Sequence, residues 1–586
     1  VLLKKQQPLP MNVVKSEPTN KLKRNFLSGN ISFESWEGLE PWFKNLSDRE
    51  IGSEKDLLKW LQDYSELDAV FDEEMAWRYI RSTCDTANEE YEKAYDFFVS
   101  EIEPKAAPWF QALNSKIDHC TFRHSLDPEV YSVFLRTIHN DIAIYREKNI
   151  PLFTEIDRLK QEYGKISGDM MVEMEGKEIT IQQTFNYFKN NSRAIRLEAF
   201  QKVWQRRLAA REIYDKLFDE LCVLRQQVAE NAGYENFRDY SFASLGRFDY
   251  TKEDCFNFHR AVAAEVVPFI EALEIKRKEI LGYEKLFPYD LEVDLTGKPA
   301  LAPFKNGEDL LDKTIACLKL VRPAYAEYIS IMRKLGHFDL DSRKGKAPGG
   351  YNYSLSETGV PFIFMNSVGS QRDLITMVHE AGHAIHSFLE NPLPLTSLKN
   401  PPSEVCELAS MSMELISMEH WHVFYPDAAE LKRARREQLE KVLGTLPWVA
   451  TVDEFQHWVY ENKNHTAEER SAAWSRIMAK QEPSVICWEG FEEVQRNNWQ
   501  KQLHIFEVPF YYIEYGMAQL GAIAVWRNYL TDPEKALDGY EAALKLGYTQ
   551  PIGKIYEAAG IKFDFSQEYV RELVEFVKGQ LATLND

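Results

Sequence analysis

The sequence predicts a mainly α-helical protein with one small β-sheet placed directly before one particular helix. Two observations carry this. Apolar residues recur at three- and four-residue spacing along most of the chain, as in Leu57, Leu58, Trp60 and Leu61 and again in Tyr91, Ala94, Tyr95 and Phe98, which is the period of an amphipathic helix. One segment, 344–368, breaks that pattern: Gly345, Pro348, Gly349 and Gly350 precede the apolar run Val360-Pro361-Phe362-Ile363-Phe364-Met365, a glycine loop leading into a short strand.

Taken in order, residues 1–30 hold six basic residues (Lys4, Lys5, Lys15, Lys21, Lys23, Arg24) against the single acid Glu17. With no apolar stretch of about 7 to 15 residues this reads as a flexible basic tail and not as a secretory leader. Residues 31–195 form an N-terminal helical region containing a β-hairpin. In that hairpin Met170, Val172 and Met174 alternate with Met171, Glu173 and Glu175 before a Gly176-Lys177 turn and Glu178-Ile179-Thr180-Ile181. Residues 196–586 form a second domain, in which helical patterning is interrupted near 282–303 by Pro288 and Pro299, and again by the glycine loop and strand. Length alone suggests roughly four domains.

Ninety-one acidic residues against 70 Lys and Arg give a formal charge of −21, which repels a phosphate backbone and argues against a nucleic-acid partner. No apolar run approaches the roughly 18–20 residues of a membrane span. The seven cysteines are scattered and contain no CxxC pair, which argues against a disulfide framework or a thiolate metal cage and for a reducing, cytoplasmic compartment.

The helix read over about 371–389 contains His379-Glu380-Ala381-Gly382-His383. Residues four apart share a helix face, so His379 and His383 can both offer imidazole nitrogens to one zinc, with Glu380 on the adjacent edge where it can reach a zinc-bound water. A third ligand is needed, commonly a carboxylate. Glu407 is the candidate, in a helix that Pro401 and Pro402 mark the start of, and Glu404 is the alternative. Glu414, seven residues after Glu407 and on the same face, is either an outer acceptor for a ligand imidazole N–H or a solvated helix charge. Cys406 reads as a buried small residue, His386 as a packing or outer residue, and His420 and His422 as structural.

A second constellation is His504-Ile505-Phe506-Glu507-Val508-Pro509-Phe510-Tyr511-Tyr512-Ile513-Glu514-Tyr515. Pro509 suits the first turn of a helix, which leaves His504 in the preceding loop and puts Tyr511 and Tyr515 on one face, with Tyr512 at its margin. Phenols there would donate to an oxyanion, or the aromatics simply pack.

HEAGHAIHSFL, the run Glu407-Leu408-Ala409-Ser410-Met411-Ser412-Met413-Glu414 and HIFEVPFYYIEYG together resemble the thimet oligopeptidase and oligoendopeptidase F family of zinc metallopeptidases, as do the APGGY loop and the VEMEGKEITI hairpin. The strong resemblance covers 345–520. It implies a two-lobed helical body around a deep substrate channel, one zinc ion per chain and internal cleavage of short oligopeptides, and it makes 196–586 the metallopeptidase catalytic domain. Carried over, His379, His383 and Glu407 are ligands, Glu380 is the general base and acid, and His504, Tyr511, Tyr512 and Tyr515 lie in the substrate and transition-state stretch. Two positions depart from the family: Ala381 replaces a bulkier residue, and the tyrosine spacing leaves open which phenol serves the oxyanion.

Substrate backbone would pair with an edge strand around Phe362, Ile363 and Phe364, and Gly349 and Gly350 would let a loop close over it; the alternative is an ordinary turn and core strand. An acidic wall would favour cationic or neutral peptides. A helical zinc carboxypeptidase and a non-catalytic peptide-binding protein are the competing readings.

Overall fold

The computed structural model of the protein describes residues 24–27, 31–343, 345–347 and 349–584. Along the chain, the elements used below are helix α1 (Glu54–Cys84), hairpin strands β1 (Met171–Met174) and β2 (Lys177–Thr180), and strands β3 (Phe338–Asp341), β4 (Tyr351–Tyr353) and β5 (Phe362–Ser367). They are followed by helices α2 (Gln371–Glu390), α3 (Ser403–Met418), α4 (Ala428–Glu461) and α5 (Ile513–Thr531). Helices dominate the remainder, as the three-to-four-residue period requires. Among the described residues no helix is long and apolar enough to cross a membrane, and all seven cysteines are free.

The chain forms two compact units, 1–113 with 304–399, and 114–303 with 400–586. The sequence reading drew its boundaries after residues 30 and 195. In the first unit the N-terminal helices go with the segment 304–399, where α1 finds an apolar surface: Ala76, Ile80 and Cys84 pack with Leu355, Phe362 and Phe364. Of the expected basic tail, residues 1–23 and 28–30 lie outside the described residues. Arg24–Leu27 are held: the N–H groups of Asn25, Phe26 and Leu27 donate to the Glu66 carboxylate at 2.8, 3.0 and 2.7 Å, and Arg24 pairs with Glu357.

The sheet of the first unit has the order β3-β5-β4, with β3 parallel and β4 antiparallel to β5. This corrects the edge-strand expectation for Phe362, Ile363 and Phe364. They occupy the central strand, both of whose edges are paired, and all three are buried. A strand covered on both faces reads as a continuous apolar run, which is what VPFIFM is. The glycine loop is tied down at its base. Lys346 pairs with Asp339 at 2.8 Å and donates to the Met365 carbonyl, and the Asn366 side chain donates to the carbonyls of Ala347 and Gly349 at 2.8 and 2.9 Å. Gly349 takes φ +103°, which an L side chain rarely adopts, so the loop turns sharply and delivers β4.

In the second unit, β1 and β2 pair antiparallel as expected, with Met174 opposite Lys177. The turn is Glu175-Gly176, with φ of +52° and +75°, one residue earlier than the sequence placed it and matching the right-handed strand twist. Helices α3 and α5 lie side by side, and small residues allow the approach: a Cβ on Gly521 would sit 2.7 Å from Leu408 Cδ1.

Helix α4 carries a buried charge, Asp453, whose carboxylate lies 2.8 Å from His259 Nε2 and 3.3 Å from His457 Nε2. Burial alone would raise its pKa, but the two imidazoles outweigh that and hold it well below the usual carboxylate range. A depressed folded pKa stabilises the fold above the unfolded-state value near 4 and is lost as pH falls below it. We predict that Asp453→Asn destabilises the protein by about 1–3 kcal/mol at neutral pH, the range for losing buried hydrogen bonds to a charged group, because burial lowers the His457 pKa and that ring is not a fixed counter-charge. An unchanged urea midpoint would contradict this.

Candidate active site residues in two separate units

The first group stands on α2. Ser370 caps the helix, accepting from Asp373 N–H at 3.3 Å while the Asp373 carboxylate accepts Ser370 N–H at 2.9 Å, a reciprocal box that fixes where the helix begins. Leu374, Met377, Val378, Ala381, Ala384 and Ile385 bury one face. His379 and His383, one turn apart, are only half-buried, with ring centroids 4.9 Å apart and planes crossed at 84°. Glu380 is buried beside them, and its backbone carbonyl accepts from the Asn352 side chain of β4 at 3.3 Å. His386 faces Glu390 at 3.5 Å, on the helix's inner side, as a packing residue would. Ala381 is fully buried, so its small size bears on packing.

The second group stands on α3 and the chain entering α5. Glu407 is buried; its carboxylate accepts from Ser410 Oγ at 3.1 Å and from the Tyr511 hydroxyl at 3.4 Å. Glu404, one turn earlier, is engaged elsewhere: its carboxylate accepts the Tyr250 hydroxyl at 2.6 Å and lies 3.9 Å from Arg247. Glu414 accepts from Gln438 Nε2 at 2.9 Å. Cys406 donates to the Pro401 carbonyl, and His420 meets the Tyr529 hydroxyl at 3.0 Å.

The tyrosine stretch differs from the sequence expectation. His504 lies in a short helix, Leu503–Glu507, and α5 starts at Ile513. Pro509 therefore sits in a turn, Tyr511 and Tyr512 precede the helix and only Tyr515 is within it. The cause is Phe510, which adopts φ +68°, a conformation that costs a bulky residue about 1–3 kcal/mol. Tertiary partners hold it there. Its N–H donates to Gln456 Oε1 of α4 at 2.8 Å, and its carbonyl accepts from Arg247, whose guanidinium also pairs with Glu514 at 2.7 Å. The turn still brings the four predicted side chains together: the His504 ring lies 6.1, 4.8 and 5.9 Å from those of Tyr511, Tyr512 and Tyr515.

The hydrogen bonds assign the protons. Trp448 Nε1–H donates to Gln502 Oε1 at 2.9 Å, which fixes that amide and leaves its NH₂ to donate to His504 Nδ1 at 2.7 Å. His504 then carries its proton on Nε2. Burial lowers its pKa to about 4 in spite of the neighbouring Glu407 charge, so the ring is neutral at pH 7 and acts as a donor. Burial also raises the phenol pKa values, that of Tyr512 to about 12 and those of Tyr511 and Tyr515 further, so all three stay protonated. Gln502 is legible as a neighbour of His504; Arg247, Gln456 and Trp448 are remote in sequence and carry no local signal.

The donor set fits a zinc ion. Two imidazoles on one helix face supply neutral nitrogens and Glu407 supplies a buried carboxylate oxygen, which is the ligand chemistry of a catalytic zinc.

Comparison with known proteins identifies the family. Residues 186–575 match the model of peptidase family M3, and residues 31–145 match the peptidase M3 N-terminal domain. The oligoendopeptidase F homolog of Borreliella burgdorferi is 25% identical over 413 residues, 68% of this chain and 65% of that protein. Oligopeptidase PepF of Bacillus subtilis is 24% identical over 400 residues, 66% of this chain and 56% of that protein. The matched stretch thus spans less than two thirds of the length of either relative. Among solved structures, Pz peptidase A with a bound inhibitor superposes with a TM-score of 0.87 at 27% identity, covering 94% of this chain and 97% of that one. With two thirds of its length matched by the family model, the chain belongs to peptidase family M3.

Proposed function

We infer that the protein is a zinc-dependent endopeptidase acting on short oligopeptides, with His379, His383 and Glu407 holding one zinc ion per chain. The observation that carries this is the complementarity of the two groups. The α2 group offers two half-exposed imidazoles beside a buried carboxylic residue, and the α3–α5 group offers one carboxylate surrounded by neutral donors. In the proposed set two ligands come from the first group and one from the second, and a catalytic zinc takes three protein ligands with one position left open. The engagement of Glu404 with Tyr250 and Arg247 supports Glu407 over Glu404 as the carboxylate ligand.

When bound, zinc supplies Lewis acidity and brings the pKa of water towards about 7. The rest is done by the chain. Glu380 takes the proton from the attacking water and returns it to the leaving amine. His504, through Nε2–H, and a tyrosine hydroxyl donate to the carbonyl oxygen as it becomes negative. Tyr511 is committed to Glu407, whereas Tyr515 has no hydrogen-bond partner among the described residues, which supports Tyr515 as the phenol that serves the oxyanion. Glu414 remains the proposed acceptor for a ligand imidazole N–H. Backbone pairing with substrate moves from Phe362–Phe364 to β4, which among the described residues pairs only with β5, leaving its other edge for strand addition.

Mass spectrometry of an oligopeptide blocked at both ends tests the reading. We expect internal cleavage; release of residues only from peptides with a free C-terminus would establish the carboxypeptidase reading in its place.

A further inference from the structure

The second unit contains a small pocket of about 10 Å³, room for one water-sized group such as a single carboxylate oxygen, whose charge is opposite to that of the chain as a whole. Trp204, Arg207, Tyr214, Asn497, Gln500 and Lys501 are among its lining residues. Two of these are cations that share one aromatic wall. Lys501 Nζ lies 4.4 Å from the ring centroid of Trp448 and 6.0 Å from that of Trp204, and Arg207 Cζ lies 5.9 Å from Trp204. Among the described residues neither cation has an ion-pair partner. Glu482, whose charge acts on Lys501, instead accepts Trp488 Nε1–H at 2.7 Å, and burial raises its pKa to about 7, so near neutral pH it offsets only part of the positive charge.

Desolvation and the Arg207 charge lower the pKa of Lys501, an effect tempered by the solvent that reaches its side chain, and burial lowers that of Arg207 as well. Both are charged at pH 7, and holding two like charges close in a partly desolvated site is unfavourable until an anion enters. The Lys501 side chain is nevertheless open to solvent, as a residue on a cavity wall is. One N–H of each side-chain amide of Asn497 and Gln500 is spent on the backbone carbonyls of Glu493 and Arg211, at 2.8 and 3.2 Å, and the ammonium and the guanidinium are the charged donors a ligand would meet.

The cavity is joined to the proposed catalytic stretch. Trp448, beneath Lys501, donates to Gln502, which holds His504 Nδ1. Lys501 is three residues from His504, at most about 10 Å along the chain and roughly three residues of extended peptide. We propose that Arg207 and Lys501 form a carboxylate subsite that anchors the peptide substrate a few residues from the bond to be cut, a reading that rests on the peptidase function inferred above. The carboxylate is that of the peptide C-terminus or of an Asp or Glu side chain at the same distance. The formal charge of −21 then attracts cationic peptides at long range, while this cavity selects for one anionic group at short range.

The test uses one peptide sequence in three forms: the free C-terminal acid, the C-terminal amide, and the amide with a glutamate placed two or three residues after the cleaved bond. Binding is measured by calorimetry on zinc-loaded Glu380→Gln protein at pH 7, and kcat/KM on the wild type. The free acid is expected to bind at least about tenfold more tightly than the amide, the effect of one charge-assisted hydrogen bond. In the same background Lys501→Met or Arg207→Gln brings the ratio to within about twofold, and Lys501→Arg, which keeps the charge, retains most of it. Tight binding of the glutamate-bearing amide assigns the carboxylate to a side chain; tight binding of the free acid alone assigns it to the terminus. Equal binding of all three forms, or a ratio that survives both substitutions in folded, zinc-loaded protein, overturns the proposal. If the wild type hydrolyses no peptide while acid and amide still bind differently, the peptidase reading fails and the subsite stands.

Discussion

Glu380→Gln is expected to lower kcat/KM on an oligopeptide about 10²–10⁴-fold, the range that a positioned acid–base group contributes, equivalent to about 2.7–5.4 kcal/mol of transition-state stabilisation. Glutamine keeps the size of the side chain and its capacity to accept and donate hydrogen bonds, but it cannot take a proton from water. Glu380 is buried in an α2 turn in which Val378 and Ala381 pack the core, so an isosteric change leaves the helix and its two imidazoles in place. Zinc content, measured by metal analysis, should stay at one ion per chain, and the circular dichroism spectrum should be that of the wild type. A variant that keeps zinc and fold and hydrolyses peptide at the wild-type rate would remove Glu380 from the mechanism.

The second large effect concerns the carboxylate ligand. We predict that Glu407→Ala weakens zinc binding more than the 10–100-fold typical of residues that only support a ligand, so that dialysed protein is largely metal-free and inactive, and that added zinc restores little activity. Glu404→Gln is the matched control. It removes a charge that Tyr250 and Arg247 contact, so its effect falls on stability while zinc is retained. The opposite pattern, with zinc lost in the Glu404 variant and kept in the Glu407 variant, would exchange the two roles.

Much of the fold was legible because its signals are local. The α2 helix was read over about 371–389 and runs Gln371–Glu390, the hairpin was placed within one residue, and the start of α3 follows the Pro401-Pro402 pair. The failures are instructive. VPFIFM was read as an edge strand, although an unbroken apolar run is the mark of a strand covered on both faces. The actual edge strand is the three-residue Tyr351–Tyr353, too short to carry a period-2 pattern. Pro509 was read as the first turn of a helix, a rule that holds when nothing else acts on the turn; here the hydrogen bonds of Arg247 and Gln456 to Phe510 shift the helix start to Ile513.

The sequence by itself determined the mainly helical character of the protein and the pairing of His379 with His383, since helix geometry places residues four apart on one face whatever surrounds them. It also determined that Glu380 stands beside them and that His504 and the three tyrosines fall within one short stretch. Only the tertiary structure decided that Glu404 turns to Tyr250 while Glu407 meets Tyr511, that Gln502 and Trp448 fix the His504 proton on Nε2, and that Arg207 and Lys501 share one cavity. These depend on contacts between residues as many as 294 positions apart, the separation of Arg207 from Lys501. Packing sets such contacts, and no local periodicity records them.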